Sequence, residues 1–242
     1  GVAQASSAAS QSKVLLVMSL LFFVMPLSLN QPIFWICILM QLVFINQCVS
    51  IIASQNINQS IFNSAFVLGL MILLEPYFIA LFSVIFGALV ISAAFTARRI
   101  GLTLIAFFLP MYFLGSLVYL FAPSRLYLFF QTYTLKFDLK FNSDYLVHWI
   151  LPLLLVISIL HLNQKINRSS TLRDKRKWQL EIMLFATSGL ALFLGNADYF
   201  ISISILGSTI IISRILASAS CFWIADLILG TLISLVVINL WY

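Results

Sequence analysis

Apolar residues run along this chain in long blocks separated by brief polar interruptions. A helix needs about 20 mostly apolar residues to cross a bilayer, with roughly 17–25 typical. The pattern predicts spans at 14–29, 33–53, 61–76, 77–95, 101–122, 146–162, 179–195, 198–214 and 221–241. The expected fold class is therefore an all-α polytopic membrane protein with about nine transmembrane or half-spanning helices. Two of the breaks come from turn chemistry. In "LLEPYF", Pro76 removes a backbone donor and disfavours helix at Glu75, so a tight hairpin with Glu75 at its bend is expected. In "GNAD", residues 195–198, Gly, Asn and Asp form the second.

One stretch has a different period. From Thr132 to Asn142, Tyr133, Leu135, Phe137, Leu139 and Phe141 alternate with Thr132, Thr134, Lys136, Asp138, Lys140 and Asn142. Period two puts the five large apolar groups on one face of a strand. A short β-like segment at 132–142 is expected, pairing through its backbone with residues 124–131 or with a partner protein.

The composition agrees with a lipid environment. The 242 residues are 62% hydrophobic and 8% charged, against roughly 25% charged in soluble domains. The net charge of +6 is then a topology signal and not a nucleic-acid footprint, because Lys and Arg mark cytoplasmic loops. Nine spans with the amino terminus inside place Lys13, Arg98, Arg99, Lys165, Arg168, Arg173, Lys175, Arg176, Lys177 and Arg214 in the cytoplasm. Arg125, Lys136 and Lys140 fall outside. Residues 1–13 read as a flexible or truncated amino terminus and 14–242 as a single helical membrane domain. The domain has an extracytoplasmic loop at 123–145 and a basic cytoplasmic loop at 163–178. The expected location is a bacterial inner membrane, with the carboxyl terminus extracytoplasmic and anionic lipids against the basic loop.

Candidate chemistry is sparse. Cys37, Cys48 and Cys221 are isolated in apolar stretches and read as helix-packing residues; no metal site or cofactor is expected. His148 and His161 lie near opposite ends of one predicted span, about 20 Å apart, too far to share a metal. Gln41, Asn46 and Gln47 of the second span are expected to bond to neighbouring helices. Arg214 and Asp226 suit a structural ion pair beside the inner interface. Asp138 and Asp144 with Asp198 offer carboxylates that, if paired, would activate water.

Two resemblances follow from these residues. "FDLKFNSD" with "GNADYFISISILG" is similar to the two aspartate motifs of prepilin peptidases, which implies an aspartyl membrane protease using Asp138, Asp144 and Asp198. Ala197 stands where that motif has its second glycine, and the family works at the cytoplasmic face, opposite to the side the charges give here. More extensively, "QSIFNSAFVLGLMILLEPYFIALFSVIFGALVIS", "TARRIGLTLIAFFLPMYFLGSLVYLF" and "GNADYFISISILGSTIIISRIL" resemble an uncharacterised family of multi-pass inner-membrane proteins of Bacteroidota, over roughly residues 33–242. That resemblance implies fold and compartment and carries no activity.

Three functions are therefore weighed. The favoured expectation is a non-catalytic accessory or scaffold subunit of a larger envelope complex. It would meet other membrane proteins through Tyr133, Leu135, Phe137, Leu139 and Phe141. The alternatives are the aspartyl protease and a small transporter or lipid-handling protein.

Overall fold

A computed structural model describes residues 32–53, 56–125 and 171–193, with the single positions Ile159 and Asn163. The chain divides into two compact units. One comprises Gly1–Asn30, Lys140–Ser170 and Ser204–Tyr242, and the other Gln31–Leu139 and Thr171–Ile203. In the first unit the described positions are the buried Ile159 and the half-buried Asn163. The second unit contains the rest and is all helical among the described residues.

Its elements are α1 (Pro32–Ala53), α2 (Ile57–Leu74), a 3-10 helix (Pro76–Leu81), α3 (Phe82–Ile91), α4 (Ala97–Phe121), a short 3-10 turn (Pro123–Arg125) and α5 (Leu172–Phe193). Three helical segments, Ile36–Ala53, Ile57–Leu74 and Ala97–Phe121, are long and apolar enough to cross a membrane. The 3-10 helix and α3 together add a shorter apolar segment, Pro76–Ile91. At about 2.0 Å per residue for the 3-10 part and about 1.5 Å for the α part, its reach is close to the roughly 30 Å of a hydrocarbon core.

The helices bury faces that their sequences specify. In α1 the buried positions are Cys37, Gln41, Phe44, Cys48 and Ile51, an alternating spacing of four and three that makes one stripe. Helix α2 buries Ile61, Ala65, Leu68 and Ile72, and also Ser60, Ser64 and Met71. It needs two buried stripes because it lies between α1 and α4, its principal neighbours. Helix α4 buries only Thr103, Ala106, Phe107 and Pro110. Its other faces expose Ile105, Phe108, Tyr112, Phe113, Leu117 and Leu120, a surface that requires lipid or protein against it.

Small residues set the closest approaches. Gly69 of α2 is seated on the Phe107 carbonyl and the Pro110 ring, where an added Cβ would collide with the carbonyl oxygen. Pro110 lacks the N–H of an interior helical residue, so α4 presents a smooth proline face just where α2 presents a glycine. Helix-breaking residues are tolerated this way when a neighbouring helix covers them. Gly87 of α3 likewise leaves room for the Met183 side chain of α5.

Glu75 holds the predicted bend. It is extended, with φ −151° and ψ 113°, and its N–H closes α2 on the Met71 carbonyl before Pro76 opens the 3-10 helix. The expected span 77–95 is corrected: a 3-10 helix followed by an α-helix ending at Ile91 takes its place. The end is a Schellman motif, with the Ala93 N–H on the Val90 carbonyl and the Ala94 N–H on the Leu89 carbonyl. Two helices begin ahead of the expected spans at 101 and 179. Arg98 and Arg99 lie in the first turn of α4, and Arg173, Lys175, Arg176 and Lys177 lie in the first turns of α5. Apolar content marks only the lipid-embedded part of a helix, and capping carries both helices further into polar sequence.

Candidate functional site at the basic end of the bundle

Contacts within the second unit bring two basic clusters to one end. Asn58, at the start of α2, accepts a hydrogen bond from Arg99 Nε at 3.2 Å, while Gly69 lies against Phe107 and Pro110. Helices α2 and α4 are therefore parallel and start together. On the other side, Ser83 meets Thr187 and Gly87 meets Met183. Helix α5 is thus antiparallel to α3, and its first turns lie at the end where α3 finishes and α4 begins. Arg98, Arg99, Arg173, Lys175, Arg176 and Lys177 share this end. Glu75, within electrostatic range of Cys37, and Arg125 mark the opposite one.

Local capping supports both clusters. Thr96 caps α4, its hydroxyl accepting from the Arg99 N–H at 3.4 Å. Thr171 caps α5: its hydroxyl donates to Asp174 Oδ2 at 2.6 Å and accepts from the Asp174 N–H at 3.3 Å. Cations at a helix N-terminus oppose the macrodipole, a penalty of about 0.3–1 kcal/mol each when exposed. These caps, worth about 1 kcal/mol each, and the acidic Asp174 offset it. The basic residues sit here in spite of helix electrostatics.

Arg99 is held by two hydrogen bonds. Its Nη1 donates to the Ala94 carbonyl at 3.0 Å and its Nε to Asn58. The guanidinium is thereby fixed beside an open cleft of about 390 Å³ lined by Asn56, Ile57, Asn58, Gln59 and Arg99. Four of those residues start α2, whose first N–H groups lack helical partners and carry partial positive charge. The arrangement is electropositive from both backbone and side chain.

The sequence-derived candidates fall unevenly on the structure. Asp138, Asp144 and Asp198, the segment Tyr133, Leu135, Phe137, Leu139 and Phe141, the pair Arg214 and Asp226, His148, His161 and Cys221 lie outside the described residues. Cys37 and Cys48 are buried free thiols. Gln41 is buried, and its Oε1 has no hydrogen-bond partner. Asn46 is exposed. Gln41 Oε1 thus makes none of the bonds to neighbouring helices expected of Gln41, Asn46 and Gln47. Two interhelical side-chain bonds, Ser83 with Thr187 and Arg99 with Asn58, were not expected from the sequence. Hydroxyls recur throughout the chain, and nothing marks Ser83 and Thr187 until the helices are aligned. Among the described residues no three His, Cys, Asp or Glu side chains are grouped as metal ligands.

Among the described residues, a helical bundle with three helices apolar enough for a membrane, and one strongly basic end, defines the class. The chain belongs to a family of unknown function, DUF6427, which it matches over residues 2–241. No curated protein and no solved structure matches it. The resemblance to an uncharacterised family is thus shown for nearly the whole chain.

Proposed function

We propose that this is a multi-pass, non-catalytic integral protein of a bacterial inner membrane that serves as an accessory or scaffold subunit of a larger envelope complex. The supporting observation is how the second unit uses its buried hydroxyls. Ser64 donates to the Ile61 carbonyl, Thr103 to the Arg99 carbonyl, and Ser83 pairs with Thr187 across α3 and α5. The first two bonds satisfy hydroxyls within their own helices, and the third joins two helices, as polar residues at membrane helix interfaces do.

In this reading the basic end is cytoplasmic, Glu75 and Arg125 lie at the outer face, and about nine helices cross or enter the bilayer. The alternating segment 132–142 supplies the outer docking surface, with Tyr133, Leu135, Phe137, Leu139 and Phe141 toward a partner membrane protein. Purification in mild detergent followed by mass spectrometry tests it. A stoichiometric membrane partner is expected, and a chain that always runs alone overturns the proposal.

A further inference from the structure

We infer that the basic end of the second unit is a binding surface for the headgroups of anionic phospholipids, with Arg99 and the α2 N-terminus as its most ordered part. The inference rests on the membrane placement proposed above and adds the chemistry of what meets that end.

Two clusters more than seventy residues apart in sequence converge on the rim. Arg98 and Arg99 come from α4; Lys175, Arg176 and Lys177 come from α5, which packs on α1, α3 and the 3-10 helix. The Arg99–Asn58 bond joins α4 to α2 at this end. Asp174 is the single acidic residue in the first two turns of α5, and its carboxylate is engaged by Thr171. Arg98 is exposed, and Lys175, Arg176 and Lys177 are half-buried. Long basic side chains at a helix end reach the headgroup layer while their stems cover apolar surface. Two hydrogen bonds fix the Arg99 guanidinium beside the cleft. A planar guanidinium presents its remaining N–H groups in a geometry suited to phosphate oxygens. A phosphodiester held there also faces the free N–H groups that begin α2.

The test uses the full chain, purified and stripped of lipid, then returned to nanodiscs of phosphatidylcholine alone or mixed with phosphatidylglycerol. Native mass spectrometry is expected to show preferential retention of phosphatidylglycerol. Each neutralised rim cation should lower that preference about fivefold, the equivalent of one basic residue near an anionic surface. Arg98→Gln and the triple variant Lys175→Gln, Arg176→Gln, Lys177→Gln lie on the rim, and their melting in phosphatidylcholine should match the unaltered chain. Arg99→Gln should remove the most tightly retained lipid. Equal retention of the two lipids, or an unchanged preference in all three variants, overturns the inference. So does the same stabilisation by inorganic phosphate without lipid. Loss of the lipid preference with an intact partner complex defeats this inference alone, whereas loss of the complex with an intact preference defeats the scaffold reading alone.

Discussion

Ser83 Oγ of α3 and Thr187 Oγ1 of α5 lie 3.0 Å apart, joining helices whose contact residues are 104 positions apart in the chain. Each hydroxyl also reaches a backbone carbonyl, Ser83 that of Ala80 and Thr187 that of Met183, both at 2.8 Å. A hydroxyl has one proton, so three contacts share two protons. The pair is therefore expected to contribute near the average of intramembrane hydrogen bonds, about 0.6 kcal/mol, and well below the roughly 1.7 kcal/mol maximum. A double-mutant cycle with Ser83→Ala and Thr187→Val, read by denaturant unfolding in detergent, measures it. A coupling energy of zero would mean that the helices are held by packing alone.

Two glycines make the same kind of contact with unequal tolerance. A Cβ at Gly69 meets the Phe107 carbonyl oxygen, which is backbone; a Cβ at Gly87 meets the end of the Met183 side chain. Backbone moves only by displacing a helix, whereas a methionine changes rotamer. Gly69→Ala is expected to destabilise by about 1–3 kcal/mol, the range for overpacking, and Gly87→Ala by less. Met183→Ala should rescue Gly87→Ala and have no effect on Gly69→Ala. Melting temperatures of the three single and two double variants in one detergent decide the point.

Ala93 carries a left-handed backbone, φ 54°, at the position of the Schellman motif that glycine usually fills. The turn it makes delivers Thr96 and Arg99 to the basic end. A non-glycine residue there is strained by roughly 1–2 kcal/mol, and glycine loses about 0.5–1 kcal/mol of that advantage to its freer unfolded state. Ala93→Gly is expected to be neutral to stabilising by about 1 kcal/mol, in contrast to the usual penalty for glycine in or beside a helix. A lower melting temperature would show that the turn is not held in this form.

How much of this was legible in the sequence depends on which physical signal each feature carries. The bend at Glu75 was legible because proline acts on its immediate neighbour. The buried stripe of α1 was not legible, because Ile36, Leu39, Leu42 and Val43 on its exposed faces are as apolar as the residues it buries. The starts of α4 and α5 were placed several residues late, since hydropathy senses lipid contact and Thr96 and Thr171 act through hydrogen bonds beyond it. Span counting together with the charge bias grouped Arg98 and Arg99 with Lys175 to Lys177 on one side. Their attachment to α2 through Asn58 was not legible, because an asparagine 41 residues from its arginine leaves no local trace.

The grouping of charges at one end predicts labelling from one side of the membrane. Consider a chain whose Cys37, Cys48 and Cys221 are replaced by Ala, with single substitutions Asn56→Cys, Arg98→Cys, Lys175→Cys or Ser124→Cys. Asn56 starts the loop side of α2, Arg98 lies in the first turn of α4 and Lys175 in the first turns of α5; Ser124 follows α4 at the far end. An impermeant maleimide added to intact spheroplasts is expected to label Ser124→Cys and to spare the other three, which react only after the membrane is opened. The positive-inside bias fixes that sense. Labelling of the three without Ser124→Cys would reverse the orientation but keep the bundle end as described. Separate behaviour among the three would break the antiparallel register of α5 against α3, and with it the convergence of the two basic clusters.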